Sequence, residues 1–115
     1  MATKAEVRSR VAHMLQRVRL GQSLPSDLST RIDDAYDEVY QDLKDDQLVT
    51  WASAGTIPDK VAPHLIALMA FNCTDSIHVS DSLLQRITAK RNIAKREIRR
   101  VVTPQYESLD EPEDF

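Results

Sequence analysis

Asp33 and Asp37, within the run DDAYDE, are the residues best spaced for chemistry. Four apart, they fall one turn from each other on the same helix face and could in principle share a divalent cation. The remaining candidates are scattered. His13, His64 and His78 belong to three different segments, and Cys73 closes an apolar stretch with no activating neighbour in sequence. A thiol nucleophile needs a base or a positive environment to ionise. A cysteine at the end of an apolar helix is commonly a small core residue. Glu6, Glu38 and Glu97 have no histidine three residues on, so the Glu-x-x-His pairs of di-metal bundles are absent. There is no glycine-rich phosphate loop, no nucleophile elbow and no zinc spacing. Diphosphate chemistry on the Asp33/Asp37 pair would need a second acidic cluster across a deep apolar cavity, and 115 residues leave no room for one. The acidic run reads as a solvated face, and neither an enzyme nor a cofactor or metal is expected.

Charge is the second chemical signal. The chain carries a net −3, but unevenly. Eight acids lie between Asp27 and Asp46 against Arg31 and Lys44. Seven bases lie between Arg86 and Arg100 against Glu97. Residues 107–115, ESLDEPEDF, are acidic again. Segregated charge marks chains that contact other macromolecules or copies of themselves, although two solvated helix faces would look the same. The basic stretch could reach phosphates. The overall negative charge and the lack of stacking aromatics speak against a dedicated nucleic-acid reader. So does the Asn72–Val79 connection, which is longer than a helix-turn-helix turn.

Four helices are expected to hold these residues. The first runs from about Lys4 to Leu20, with Thr3 and Glu6 at capping-box spacing and Val7, Val11, Met14, Leu15 and Val18 as its stripe; Gly21 stops it. The second, capped by Ser26 or Ser29, carries Leu28, Ile32, Ala35, Tyr36, Val39 and Leu43 inward and ends near Asp46 or Leu48. The loop VTWASAGT follows. Its Trp51, the only tryptophan, either plugs a gap in the core, the commoner case, or stands as an exposed loop anchor for a partner. Ile57 precedes Pro58 and marks a boundary.

The third helix opens at Pro58 and Asp59, or a few residues on because of Pro63, and is apolar on every side from Leu65 to Phe71. It is too short to span a bilayer, so it must be the covered centre of the domain. The last helix, about Asp81 to Val102, is capped by Ser80, with Val79 a possible staple on Leu84. Leu84, Ile87, Ala94, Ile98 and Val101 form its stripe, with Leu83 and Val102 at the margins, and Pro104 ends it. The fold class is all-α: a compact bundle of about four helices over residues 1–102 and an extended acidic C-terminal arm over 103–115. In the arm Tyr106, Leu109 and Phe115 are spaced apolar anchors. Low glycine and aromatic content argues against an all-β fold, and a single cysteine fits a reducing compartment. No apolar leader precedes the first helix, so secretion is not expected.

The order of these pieces is similar to that of a known family. RLGQSLP ends the first helix, AYDEVYQDLKDDQL forms the acidic one, a tryptophan loop follows, IPDKVAPHLIALMA forms the apolar one, and the last helix ends in IRR. Over roughly residues 4–102 the chain resembles the small head–tail adaptor (head-completion, or connector) proteins of tailed bacteriophages. The resemblance implies a structural virion protein at the head–tail interface, assembled in the host cytoplasm. It implies a homo-oligomeric ring, commonly of twelve copies, beneath the portal protein. Such a ring extends the channel for DNA, without sequence specificity, and offers a platform to tail or tail-completion proteins. By position, Tyr106, Leu109 and Phe115 would dock on the portal. A ring also fits the segregated charge: Asp33, Asp37 and Asp42 of one copy would face Arg91, Lys95 and Arg99 of the next. The alternative is a small nucleic-acid-binding regulator using the basic last helix.

Overall fold

The computed structural model describes residues 2–16, 24–53 and 55–110, with side chains described as far as Val102. Four helices follow one another: α1 (Lys4–Met14), α2 (Ser26–Asp45), α3 (Ala62–Cys73) and α4 (Asp81–Asp110). Among the described residues there is no strand, only an isolated antiparallel bridge between Ala2 and Ile57.

α3 is the centre because its sequence leaves no polar face to show. Leu65, Ile66, Ala67, Met69, Ala70 and Cys73 are buried, and Leu68 and Phe71 are partly so. The helix begins at Ala62 rather than at Pro58. The missing N–H of Pro63 would break a ladder started earlier, and in the first turn it costs nothing. Residues 58–61 form a separate turn, with the N–H groups of Val61 and Ala62 both donating to the Pro58 carbonyl at 3.0 Å. Ile57 is extended, as a residue before proline should be. It uses that conformation to exchange two backbone hydrogen bonds with Ala2, at 2.7 and 3.0 Å. The start of the chain is thereby pinned to the lead-in of α3.

The capping box of α1 is complete. The Glu6 N–H donates to Thr3 Oγ1 at 3.1 Å, and the Thr3 N–H donates to Glu6 Oε1 at 2.9 Å. Those bonds hold the Glu6 carboxyl below its ordinary range. The helix stops at Met14, short of the expected Leu20, with Gln16 in the left-handed region at φ 60°. No residue there is a helix breaker, so local propensity does not set the stop. Gly21 and Val18 lie outside the described residues.

α2 starts at Ser26 with Pro25 as its cap and no side-chain cap bond, in place of the expected serine caps. Its far end is a Schellman motif. Gln47, at φ 61°, donates to the Lys44 carbonyl at 3.0 Å, and Leu48 donates to the Leu43 carbonyl at 2.9 Å. Leu43 and Leu48 are both buried, the apolar contact that usually accompanies this ending. Ile32, Ala35, Tyr36 and Val39 complete the buried stripe.

α4 is capped by Ser80, whose Oγ accepts from the Leu83 N–H at 3.2 Å. Its inward face is Leu83, Ile87, Ala94, Ile98 and Val102; Leu83 takes the place expected for Leu84, and Val102 is buried while Val101 packs on the core partly covered. Leu84 is 37% exposed, and Val79 packs on the core. The backbone stays helical through Pro104 to Asp110, whereas Pro104 was expected to end it. An interior proline removes one ladder bond and can kink a helix without ending it. The helix thus crosses residue 103, where an extended arm was expected to begin. α3 packs against all three other helices, and α1 packs against α2. Among the described residues α4 lies closely against α3 and reaches α2 only through side chains, Lys95 on Asp42 and Asp46.

Candidate interaction surface

The acids of α2 are largely engaged within the chain. Asp33 Oδ1 accepts from Arg8 Nε at 2.9 Å, tying α1 to α2. Asp37 lies 4.0 Å from Lys4 Nζ, which also sits 4.6 Å from the centroid of the Tyr36 ring. Asp33 and Asp37, the pair spaced for a cation, thus each face a different base. Among the described residues no group of three or more His, Cys, Asp or Glu side chains is placed to hold a metal ion. Asp42 and Asp46 both pair with Lys95 of α4, Asp42 at 3.3 Å. The Lys95 bond holds the Asp46 carboxyl below the usual aspartate range, and that same bond raises the Lys95 ammonium. All three groups are partly or well exposed, so this clasp orients α4 more than it stabilises the fold.

Arg31, on the opposite flank of α2, is the best-satisfied cation. It donates to Ser76 Oγ and the Asn72 carbonyl at 2.7 Å and to Asp75 Oδ1 at 2.9 Å. Glu38 accepts from Asn72 Nδ2 at 3.1 Å. Together these bonds fix α2 to the end of α3 and the turn beyond it.

Of the two roles open to Trp51, the structure shows the core plug: it is 7% exposed. Its Nε1 donates to the Tyr36 hydroxyl at 3.2 Å, and that hydroxyl donates to the Ser53 carbonyl at 2.9 Å. Tyr40 donates to the Trp51 carbonyl at 2.9 Å and meets its ring edge-on, with centroids 6.0 Å apart. The tyrosine hydroxyls found the partners that burial demands, inside the loop the sequence left irregular. Cys73 is buried, and desolvation pushes its thiol up to about 11. His64 is half-buried, and His13 and His78 are exposed.

The bases of α4 divide by flank. On the α2 side, Arg91 lies over the Phe71 ring, 4.7 Å from its centroid, and Lys95 is clasped as described. Arg99 is exposed, and its charge also lowers Asp46. On the α1 side, Arg86 and Lys90 are exposed and face Arg10 and His13 across a groove of ≈ 320 Å³. Met14, Gln16, Leu83 and Ile87 also line it, and no acid among the described residues does. The groove exists because α1 and α4 each pack on α3 and not on each other. It was not anticipated from the sequence. Arg10 and the α4 bases are 76 or more residues apart, and no local pattern links them. Tyr106 and Leu109 fall on the helical backbone of α4, beyond the described side chains, and Phe115 lies outside the described residues.

No helix among the described residues is long and apolar enough to cross a membrane. No family model, curated protein or solved structure matches the chain.

Proposed function

We propose that the chain is a head–tail adaptor of a tailed bacteriophage, a structural protein that forms a ring beneath the portal, extends the DNA channel and receives the tail. The observation that carries this reading is the order and packing of the elements. An acidic helix runs into a tryptophan loop. An Ile57-Pro58-Asp59 lead-in follows, then an apolar helix at the centre, and last a long basic helix lying on that centre. That arrangement leaves the α1-facing side of α4 open to a neighbour, as a subunit with two different contact faces requires. Since Asp33, Asp42 and Lys95 already have partners within the chain, the proposed contact between Asp33, Asp37 and Asp42 and the bases Arg91, Lys95 and Arg99 would have to compete with those pairs. The adaptor reading leaves two addresses for the segment bearing Tyr106, Leu109 and Phe115: the portal or an adjacent copy.

Electron microscopy of the purified chain mixed with portal rings tests the reading. A ring of added density at one end of the portal, commonly with twelvefold symmetry, is expected. Persistent monomers with bare portals would remove it. A second reading, a small nucleic-acid-binding regulator, is favoured by Arg86, Lys90 and Arg99, exposed on α4 with no salt bridge among the described residues. It requires duplex binding with a steep salt slope and no need of a portal.

A further inference from the structure

The groove between α1 and α4 joins two features. Its floor is apolar, from Met14, Leu83 and Ile87, and its walls are basic, from Arg10, Arg86 and Lys90. None of these three bases forms a salt bridge with an acid among the described residues, whereas the other flank of α4 is neutralised by Asp42 and Asp46. A ligand for such a groove should be acidic and carry spaced apolar side chains. The sequence contains one such segment. From Tyr106 to Phe115, YESLDEPEDF, there are five acids, three apolar anchors and no base.

We propose that this groove is the docking site for residues 106–115 of a second copy of the chain, with Leu109 or Phe115 on the apolar floor and the acids against Arg10, Arg86 and Lys90. The occupant is a second copy because of reach. α4 carries the segment away from its own groove, and Asp110 stands about 30 Å along the helix from Lys90. Residues 111–115 span about 17 Å when fully extended. Repeated from copy to copy the contact generates rings or filaments, and exchanged reciprocally it closes a pair. It deepens the adaptor reading by naming the subunit contact, and it needs only copies of this chain.

The test is sedimentation of the full chain at low and high salt. Two variants are compared, both checked for helicity: a groove variant, Arg86→Glu with Lys90→Glu, and a tail variant, Asp110→Lys with Glu111→Lys and Glu113→Lys. Arg86 and Lys90 are exposed, so their replacement should leave the fold intact. Wild type should associate in a salt-sensitive way, and each variant should associate at least about tenfold more weakly. An equimolar mixture of the two should recover association, because each pair holds one intact groove with one intact tail, and the reversed tail also complements the reversed groove. Monomeric wild type at low salt overturns the proposal, as do variants that assemble like wild type or a mixture that stays monomeric. A tail variant that self-associates normally but no longer binds portal rings also overturns it, and gives the segment to the portal with the adaptor reading intact. Groove-dependent self-association without any portal binding supports the proposal and removes the adaptor reading.

Discussion

Tyr36 carries more of the local structure than any other polar side chain. Its ring is fully buried, and its hydroxyl accepts from Trp51 while donating to the Ser53 carbonyl. Tyr36→Phe keeps the ring and leaves a buried indole N–H and a loop carbonyl without that partner. The expected loss is about 1–3 kcal/mol in urea unfolding, against a smaller loss for Tyr40→Phe, whose hydroxyl bonds a single carbonyl and whose side chain is only partly buried. Cys73 makes the opposite kind of claim, that nothing happens there. With its thiol raised to about 11 by burial, the native protein should not react with a thiol reagent at pH 8, and unfolded protein should react at once. The sign for stability follows. The unfolded thiol ionises near ~8.5 while the folded one holds its proton, so stability declines as pH rises from there towards about 11.

At the scale of elements, the orientation of α4 is the sharpest result. Leu83 is buried and Leu84 is 37% exposed, although both are leucines at the start of the same helix. Leu83→Ala should cost about 2–4 kcal/mol and Leu84→Ala less than about 1 kcal/mol by chemical denaturation. Equal costs would mean that the helix is turned otherwise. The clasp of Lys95 on Asp42 and Asp46 holds that orientation from the side. Asp46 has a lowered folded value, so its contribution is present above the ordinary aspartate range and is lost as pH falls through the folded one. Lys95→Met should return the Asp46 carboxyl towards its ordinary value in an NMR titration. The tether between α1 and α2, Arg8 on Asp33, should be unaffected, because it shares no atom with the clasp.

For the whole molecule, apolar burial around α3 holds the fold together, while ion pairs at the surface tie neighbouring helices at their edges. Apart from the Tyr36 hydroxyl and the Trp51 indole N–H bonded to it, the described core buries no polar or charged side chain. Each surface ion pair contributes roughly 0–1 kcal/mol and is screened by salt. Raising sodium chloride to about one molar should therefore change the unfolding free energy by no more than about 1–2 kcal/mol. Any assembly through the basic groove should weaken steeply over the same range. If the fold proved as salt-sensitive as the association, the division of labour between core and surface would be wrong.

The elements themselves were legible in the sequence for a physical reason: each depends on residues within a few positions of one another. The Thr3–Glu6 box, the Ser80 cap and the wholly apolar run from Leu65 express a 3.6-residue period or a first-turn hydrogen bond. The early stop of α1 at Met14 and the ends of the inward face of α4 were not legible. Leu83 and Leu84 are adjacent leucines, as Val101 and Val102 are adjacent valines, and packing on α3 decides which of each pair is buried. Charge was legible as amount but not as pairing. A long lysine or arginine can reach many acids, and which one it meets depends on where two distant helices come to lie. So the sequence by itself determined four helices around one apolar centre and an excess of bases on the last of them. Tertiary structure alone decided that Lys95 is clasped to α2, that Trp51 faces inward, and that Arg10, Arg86 and Lys90 share one groove. The reason is that each of these depends on the angle between helices, which no stretch of a few residues encodes.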